Sequence, residues 1–166
     1  PMPIVKVMVD LAGIQKGNTV YDLGAGDARL LIQAAETEPT IHAIGYEGAI
    51  GVYLLGILRI LWSRKRNVRL QWQNLFRADL GNADVVFLYL LPHMIEKLLP
   101  KFEQELQPGT IIVTHAFKLP SCDPQRKIPV PLRFGGTTYV YRYIWKHPKN
   151  GVAYEHEKNI NEYDEK

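Results

Sequence analysis

The spacing of apolar residues along the chain alternates between helical and strand-like stretches. Apolar positions at helical spacing predict a first helix over residues 3–12 and further helices over 28–36, 49–63 and 93–106. Short apolar runs between them predict buried strands, which lie in the segments GNTVYDL, IHAIGY, VRLQW, ADVVFLYLL and PGTIIVTHAF. Strands that alternate with helices in this way predict an α/β fold, with a parallel sheet covered by helices.

The pattern changes after Phe117. Residues 118–127 are few and rich in proline and polar residues, so no further helix is predicted there. The segments KIPVPLRF and TTYVYRYIWK, which flank a pair of glycines, predict a β-hairpin. Pro129 and Pro131 are two residues apart and lack N–H groups on the same side of their strand, so this strand should lie at the edge of the sheet.

Composition narrows the class of protein. Hydrophobic residues make up 46% of the 166 residues and charged residues 22%, which is sufficient for a packed core. We expect one domain over residues 1–147 and a polar C-terminal tail over 148–166. The net charge of +3 does not by itself indicate a nucleic-acid partner. Cys122 is the only cysteine and the five histidines lack ligand spacing, so we expect no metal.

Residues 49–66 form a long apolar stretch with a basic end. Arg59 interrupts it and it is too short to span a bilayer. The favoured interpretation is a buried helix whose basic C-terminal end suits the helix dipole. One alternative is a membrane or partner surface formed by Trp62 and the cations that follow it. Another is contact with RNA phosphates through Arg59, Arg64, Lys65, Arg66 and Arg69, although no base-stacking motif accompanies them.

The sequence also bears on where the protein works. No signal peptide is visible, so we expect a cytoplasmic protein. The chain begins at Pro1 rather than Met, which leaves room for an anchoring segment ahead of it. Membrane association through such a segment is therefore the alternative expectation.

A glycine turn, VYDLGAGDARL at residues 20–30, indicates a ligand. Gly24 and Gly26 lie between a predicted strand and a predicted helix, at the sheet edge where ligands bind in open α/β sheets. The dinucleotide fingerprint would require a glycine at position 29, where this chain has Arg29. The turn is therefore not the kind that packs a helix under a pyrophosphate.

Polar side chains near this turn indicate which ligand binds. Asp22 precedes the turn, and Glu47 ends the second strand, where a carboxylate can accept both ribose hydroxyls. Asn74 follows the third strand, and its amide oxygen can accept from the exocyclic amine of adenine. These groups describe a site for adenosine and an amino-acid tail without a diphosphate. The predicted cofactor is S-adenosyl-L-methionine, with S-adenosyl-L-homocysteine as its product.

Three segments, IQKGNTVYDLGAGDAR, IGYEG and LQPGTIIV, resemble motifs of the class I, seven-stranded methyltransferases. The resemblance implies a Rossmann-like three-layer sandwich with a mostly parallel sheet, strand order 3-2-1-4-5-7-6 and strand seven antiparallel. The helix between strands five and six is missing from this chain. We expect the cofactor to be bound by residues at the strand ends, namely Asp22, Leu23, Gly24, Ala25, Gly26, Glu47, Gly48, Asn74, Leu75 and Tyr89.

A narrower resemblance concerns the substrate. PMPIVKVMVDLA, YDLGAGDARLLIQAA, GYE and VVFLYLLPHMIEKLLPKFEQELQPGTIIVTHAF are similar to the lysine methyltransferases of the ATP synthase c-subunit and adenine nucleotide translocase type. This likeness implies N-methylation of a protein lysine, with membrane proteins among the substrates. The chain departs from the family pattern at Ala28, where glycine is usual, and at Asn74, where aspartate is usual.

Candidate catalytic residues follow the fourth strand. Methyl transfer depends mainly on alignment of donor and acceptor, so Tyr89 is the first choice to line the acceptor channel. A tyrosine that simply packs on its strand is the alternative. His93 and His115 lie near strand ends on the same edge, and each fits either a general base or a hydrogen-bonded structural residue. We select Tyr89, Pro92 and His93 as the catalytic candidates.

Other functions compete with lysine methylation. The chain lacks the Asn/Asp-Pro-Pro-Tyr motif expected for methylation of base amines on this fold, which disfavours a nucleic-acid substrate. An RNA or small-molecule methyltransferase remains the alternative enzyme. A non-catalytic module that binds S-adenosylmethionine is the alternative outside enzymes.

Overall fold

The computed structural model describes residues 2–146, in which strands and helices alternate as far as the fifth strand. The helices are α1 (Met2–Ala12), α2 (Arg29–Thr37), α3 (Ile50–Ser63) and α4 (Pro92–Glu105). The strands are β1 (Thr19–Leu23), β2 (His42–Glu47), β3 (Val68–Trp72), β4 (Val85–Leu88), β5 (Ile111–His115), β6 (Arg126–Pro131) and β7 (Thr137–Ile144). A 3-10 helix, Leu75–Arg77, follows β3. The predicted tail, 148–166, lies outside the described residues.

The strands form one sheet in the order β3-β2-β1-β4-β5-β7-β6. Strands β1 to β5 are parallel to one another, and β7 is antiparallel to β5 and β6. The predicted α/β class and the strand order implied by the resemblance are therefore confirmed. The chain reverses direction across the sheet between β1 and β4, which is the switch point where such sheets bind ligands.

Helices cover both faces of the sheet. Met8 of α1 and Leu31 of α2 are fully buried against one face, together with Val113 of β5. Leu98 and Phe102 of α4 are fully buried against the other face. The result is the three-layer sandwich that the alternation of elements predicted.

Three prolines and a buried leucine explain local features of the second half of the chain. Helix α4 begins at Pro92, whose fixed φ suits the first helical position. Pro129 and Pro131 lie on β6, the outermost strand, so the edge position predicted for them is confirmed. Residues 116–125 form turns rather than a helix, as expected. Leu119 is buried there and its N–H donates to the Tyr143 hydroxyl at 3.1 Å, so this loop covers sheet surface in place of a helix.

Helix α3 contradicts the interpretation of a buried helix. Gly56 is its only buried residue, and its inner side packs partly against the core. Its other side carries exposed apolar residues: Ile50, Leu54, Leu55, Leu58, Leu61 and Trp62. The reason is its place in the fold, because α3 packs on β2, on α2 and on the edge strand β3. Within residues 2–146, no helix is both long and apolar enough to cross a membrane.

Candidate functional site

The turn after β1 uses its own N–H groups. The N–H groups of Gly24 and Ala25 donate to the Tyr46 carbonyl at 2.9 and 3.0 Å, and that of Ala28 donates to the Ala25 carbonyl at 2.9 Å. The N–H of Gly26 donates to a side chain, described below. A phosphate-binding turn directs such groups at its ligand. In this turn the N–H groups of Gly24, Ala25, Gly26 and Ala28 are occupied within the protein.

Glycine is required at position 24. Its φ is +84°, and a Cβ built there would lie 2.8 Å from Cδ2 of Leu90. Residues other than glycine rarely adopt this φ, and a Cβ would also require the end of the Leu90 side chain to shift. Gly24 also lies where two cavities meet, since it lines both of them. The turn therefore allows one extended ligand to pass over the end of β1.

Glu47 is held in place by two backbone groups. Its Oε2 accepts from Gly26 N–H at 3.0 Å, and its Oε1 accepts from Ala49 N–H at 2.8 Å. Each carboxylate oxygen has a second lone pair that can accept from a ligand. The contacts fix the carboxylate at the carboxyl end of β2, beside the first cavity. This is the orientation expected of a group that accepts from ribose hydroxyls.

Asp22 is a buried carboxyl group in an unfavourable electrostatic environment. Burial, together with the nearby carboxylates of Glu47 and Asp27, raises its pKa to about 7. The side chain lines the second cavity. A ligand with a cationic amine would offset both the burial and the neighbouring negative charges.

Asp27 forms ion pairs that sequence reasoning missed. Its carboxylate binds the Arg29 guanidinium at 2.6 Å and the Arg59 guanidinium at 2.8 Å. The hydrogen bond from Arg29 lowers the pKa of Asp27. Arg59 appeared in the sequence as an interruption of an apolar stretch and as a candidate phosphate contact. Its position instead joins α3 to the turn after β1, and only the tertiary structure shows this.

The first cavity has a volume of about 770 Å³ and lies beside the ends of β2 and β3. Of the predicted cofactor residues, Gly24, Glu47, Gly48, Asn74 and Leu75 line it. Asn74 also caps the 3-10 helix, because its Oδ1 accepts from Phe76 N–H at 3.0 Å. Trp72 and Met94 also line this cavity, and no sequence pattern predicted them there. The indole N–H of Trp72 donates to the Gly48 carbonyl at 3.1 Å and so fixes the ring at the cavity's edge.

The second cavity, of about 520 Å³, lies on the other side of Gly24. Asp22 and the turn form its base. Tyr89, which is half-exposed, forms one wall, and Val52 and Leu55 of α3 form another. The two α3 residues were not predicted at the site, because the sequence does not show which side of α3 faces the turn.

Tyr89 rests against a buried histidine. The rings of Tyr89 and His115 are edge to face, with centroids 4.3 Å apart. His115 Nε2 is 3.0 Å from the Thr138 hydroxyl, whereas its Nδ1 is buried without a partner. Burial lowers the pKa of His115, so the imidazole is neutral near pH 7. A neutral, hydrogen-bonded ring in this position can hold Tyr89 in one orientation.

The remaining predicted residues differ in whether they line a cavity. Ala25 and Gly26 line the second cavity, but Leu23 is fully buried beneath the turn. Pro92 and His93 form the exposed start of α4, outside the lining of both cavities. Their catalytic role stays a prediction.

The residues present fit S-adenosylmethionine. Acceptors for an adenosine lie around the first cavity, and a buried carboxyl group that suits an amine lies in the second. The two cavities meet at Gly24, so one molecule can occupy both. Four N–H groups of the turn are occupied within the protein, which leaves fewer of them for a diphosphate.

Comparisons with known proteins agree with this geometry. The model of the ANTKMT methyltransferase domain family matches residues 22–126. A protein-lysine N-methyltransferase of Saccharolobus islandicus (strain REY15A) is 33% identical over 147 residues, which are 85% of this chain and 89% of the relative. The adenine nucleotide translocase lysine N-methyltransferase of Mus musculus is 30% identical over 108 residues, which are 63% of this chain and 46% of the relative.

A solved methyltransferase structure is also similar to this chain. The crystal structure of an RNA methyltransferase from Salinibacter ruber in complex with S-adenosyl-L-homocysteine superposes with a TM-score of 0.78. It is 35% identical to this chain, and the alignment covers 87% of this chain and 91% of the other.

The sheet order and the site define a class I, S-adenosylmethionine-dependent methyltransferase. The chain belongs to the ANTKMT methyltransferase domain family. The enzyme class, the cofactor and the family resemblance inferred from the sequence are thereby confirmed.

Proposed function

We propose that this enzyme methylates the ε-amine of a protein lysine. The observation that carries the proposal is the second cavity, which has Tyr89 on one side and the apolar side chains of Val52 and Leu55 on the other. The lining also includes Asp22 and Asp27, and we assign that polar end to the cofactor and the apolar side to the acceptor. Beside Tyr89, Val52 and Leu55, apolar side chains penalise the charged form of an amine and so favour the neutral form, which has the lone pair needed for attack. Lysine carries its amine on a flexible four-carbon stem that can extend into such a cavity.

The names of two relatives support a lysine substrate. The Saccharolobus islandicus and Mus musculus proteins are both named lysine N-methyltransferases. The Salinibacter ruber protein is named an RNA methyltransferase, so RNA is the competing acceptor. An apolar cavity mouth favours a protein side chain over a phosphate-bearing strand, because phosphates gain nothing from contact with Val52 and Leu55.

The proposal assigns roles around the cofactor. Glu47 accepts from the ribose hydroxyls, Asn74 contacts the adenine edge, and Asp22 pairs with the cationic amino-acid end. The turn at Gly24 and Gly26 provides the close approach over β1. When bound, S-adenosylmethionine supplies a methyl group on a cationic sulfur that departs as a neutral thioether. Because that leaving group is good, we propose no metal for the reaction.

The chain's own residues then align the acceptor. Tyr89 limits the directions from which an amine can enter the second cavity. His115 supports the Tyr89 ring and acts as a positioning residue, since it touches Tyr89 and does not line the cavity. We keep Pro92 and His93 as candidates near the acceptor because they begin α4 directly after this segment.

The proposal extends to the setting of the reaction. We infer a cytoplasmic enzyme whose lysine substrate belongs to a membrane protein. A single half-buried thiol, Cys122, suits a reducing compartment. The exposed apolar side of α3 supports a substrate or surface of low polarity.

A labelling experiment tests the acceptor. The enzyme is incubated with tritiated S-adenosylmethionine and either membrane, soluble-protein, RNA or small-molecule fractions of a lysate. The proposal expects label in the membrane-protein fraction, and protease should release this label whereas RNase should not. Label that RNase alone releases would overturn the lysine assignment while leaving the methyltransferase assignment intact. Enzyme with Glu47→Ala, which should bind the cofactor poorly, is the control for label transferred by contaminants.

A further inference from the structure

We propose that the outer face of α3 binds the surface of an anionic lipid bilayer, with the helix lying in the plane of the membrane. This face is formed by Ile50, Leu54, Leu55, Leu58, Leu61 and Trp62 and is called the α3 outer face below. The inference deepens the proposed function, because it identifies the surface at which the enzyme meets its substrate.

The exposure of these residues is the first observation. Leu58 is 63% exposed, Leu61 69% and Trp62 90%. Leu54, Leu58 and Leu61 are spaced four and three residues apart, so they follow one side of the helix. The inner side is occupied by the core, through Tyr53, Ile57 and Ile60. A continuous row of exposed leucines on a soluble domain marks a contact surface.

Charge identifies the occupant of this surface. From residue 48 to residue 78 the sequence contains no aspartate or glutamate. Arg59 is paired with Asp27, and the other cations of this stretch are Arg64, Lys65, Arg66, Arg69 and Arg77. Arg64, Lys65 and Arg66 follow α3 directly, at the end that carries Trp62. Leucines flanked by cations and a tryptophan are the pattern of a helix at a lipid–water interface. The cations complement anionic headgroups, and the indole suits the interfacial region.

Other occupants fit these observations less well. RNA would satisfy the cations but would gain nothing from the four exposed leucines and would leave them in water. A second copy of this chain would bring two acid-free basic segments together, which Coulomb repulsion opposes. A bilayer accommodates the leucines and the cations at the same time. The helix has 14 residues and is about 21 Å long, so it lies on a membrane rather than across it.

The α3 outer face adjoins the second cavity. Leu55 belongs to that face and also lines the cavity beside Tyr89. When the outer face rests on a bilayer, the cavity opens near the membrane surface. An acceptor lysine at the headgroup level of a membrane protein would then reach Tyr89 without leaving the interface.

Vesicle co-sedimentation tests the proposal with the full chain and needs neither cofactor nor acceptor. We expect binding to phosphatidylcholine vesicles that contain roughly one third phosphatidylglycerol, and weak binding to phosphatidylcholine alone. Added salt should weaken the binding, because it screens the attraction of the cations. Replacing Leu54→Gln, Leu58→Gln and Trp62→Ser together should lower the partition coefficient at least about tenfold. Arg64→Gln with Arg66→Gln should lower it on anionic vesicles.

The β6–β7 turn offers matched controls. Phe134 is 95% exposed and Arg133 is also exposed, so Phe134→Ser and Arg133→Gln change the same kinds of side chain elsewhere. These variants should bind vesicles as the unchanged protein does. Circular dichroism checks that each variant is folded. Equal binding by the leucine variant and the unchanged protein would overturn the proposal.

Two further outcomes would reassign the surface. The first outcome is binding to an RNA oligonucleotide, lost when the arginines are changed, without binding to either kind of vesicle. It would show that the surface binds nucleic acid. The second outcome is a dimer in analytical ultracentrifugation that dissociates when the leucines are changed. It would show that the surface joins two copies of the chain. Methylation of a water-soluble lysine peptide should be the same in the leucine variant, so failure of the lipid proposal and failure of the lysine proposal give different results.

Discussion

The Oε2 of Glu47 accepts a hydrogen bond from the N–H of Gly26 at 3.0 Å, which joins the end of β2 to the turn after β1. The contact places a fixed carboxylate beside the first cavity and occupies a turn N–H that a phosphate would otherwise bind. In the proposed cofactor pose, this carboxylate accepts from the ribose hydroxyls.

Removal of the Glu47 carboxylate should weaken cofactor binding strongly. Glu47→Ala loses charge-assisted hydrogen bonds to the ribose, each of which contributes about 1.5–3 kcal/mol. Isothermal titration calorimetry with S-adenosylhomocysteine should therefore show a dissociation constant raised by at least about tenfold. Glu36→Ala, at an exposed position on α2, is the matched control. Full affinity in a folded Glu47→Ala protein would show that another group holds the ribose.

Cofactor affinity should depend on pH through Asp22. The pKa of this carboxyl group is raised to about 7 in the protein without cofactor, chiefly by burial. A cationic ligand beside it lowers that pKa, so binding releases a proton, and affinity falls as pH falls through 7. Between about pH 8 and about pH 6, the dissociation constant should rise roughly tenfold.

Calorimetry in buffers with different ionisation enthalpies measures the proton release directly. Asp22→Asn should bind more weakly at pH 8 and lose this pH dependence, because asparagine does not titrate. A pH dependence that persists in Asp22→Asn would assign the proton to another group.

Asn74 should contribute both to the fold and to adenine recognition. Its Oδ1 caps the 3-10 helix through Phe76 N–H, and its side chain borders the first cavity. Asn74→Leu should weaken cofactor binding by about 1–3 kcal/mol, since a bound polar group loses its partner. Thermal unfolding should also show the loss of the cap, which contributes about 1 kcal/mol.

The aspartate variant separates the two roles of Asn74. Asn74→Asp keeps an oxygen for Phe76 N–H and for the adenine amine, so stability and affinity should both be retained. If Asn74→Asp is stable but binds as weakly as Asn74→Leu, the amide nitrogen rather than the oxygen reads the adenine.

Tyr89 should act on the rate of transfer more than on cofactor affinity. It lines the second cavity and is held by the edge contact with His115. Tyr89→Ala removes the wall that aligns the acceptor, and misalignment by about 1 Å can lower a rate on the order of a hundredfold. Single-turnover kinetics and cofactor titration measure the two effects separately. Tyr89→Phe keeps the ring and should retain most of the rate, whereas equal losses of rate and affinity in Tyr89→Ala would place Tyr89 in the cofactor site alone.

Most of the fold and the cofactor chemistry could be predicted from local sequence. Each informative residue acts locally. Gly24 and Gly26 allow a turn with positive φ, Glu47 supplies a carboxylate at the end of a strand, and Pro92 suits the start of a helix. Pro129 and Pro131 located the edge strand, because their missing N–H groups are incompatible with a central one.

The errors and omissions concern contacts made across the fold. Helix α3 is apolar on nearly every side, and periodicity alone does not show that its outer side lacks a covering element. The pairing of Arg59 with Asp27 and the contact of Tyr89 with His115 join segments distant in sequence. Such contacts depend on packing geometry, which a single sequence does not specify.

Mass spectrometry of the methylated product tests the central claim most directly. The enzyme is given S-adenosylmethionine and a membrane-protein fraction, and the labelled proteins are digested and sequenced. The account predicts methyl groups on lysine ε-amines, absent when the enzyme carries Tyr89→Ala and present with Tyr89→Phe. Methyl groups found only on RNA or on a small metabolite, with every lysine unmodified, would contradict it.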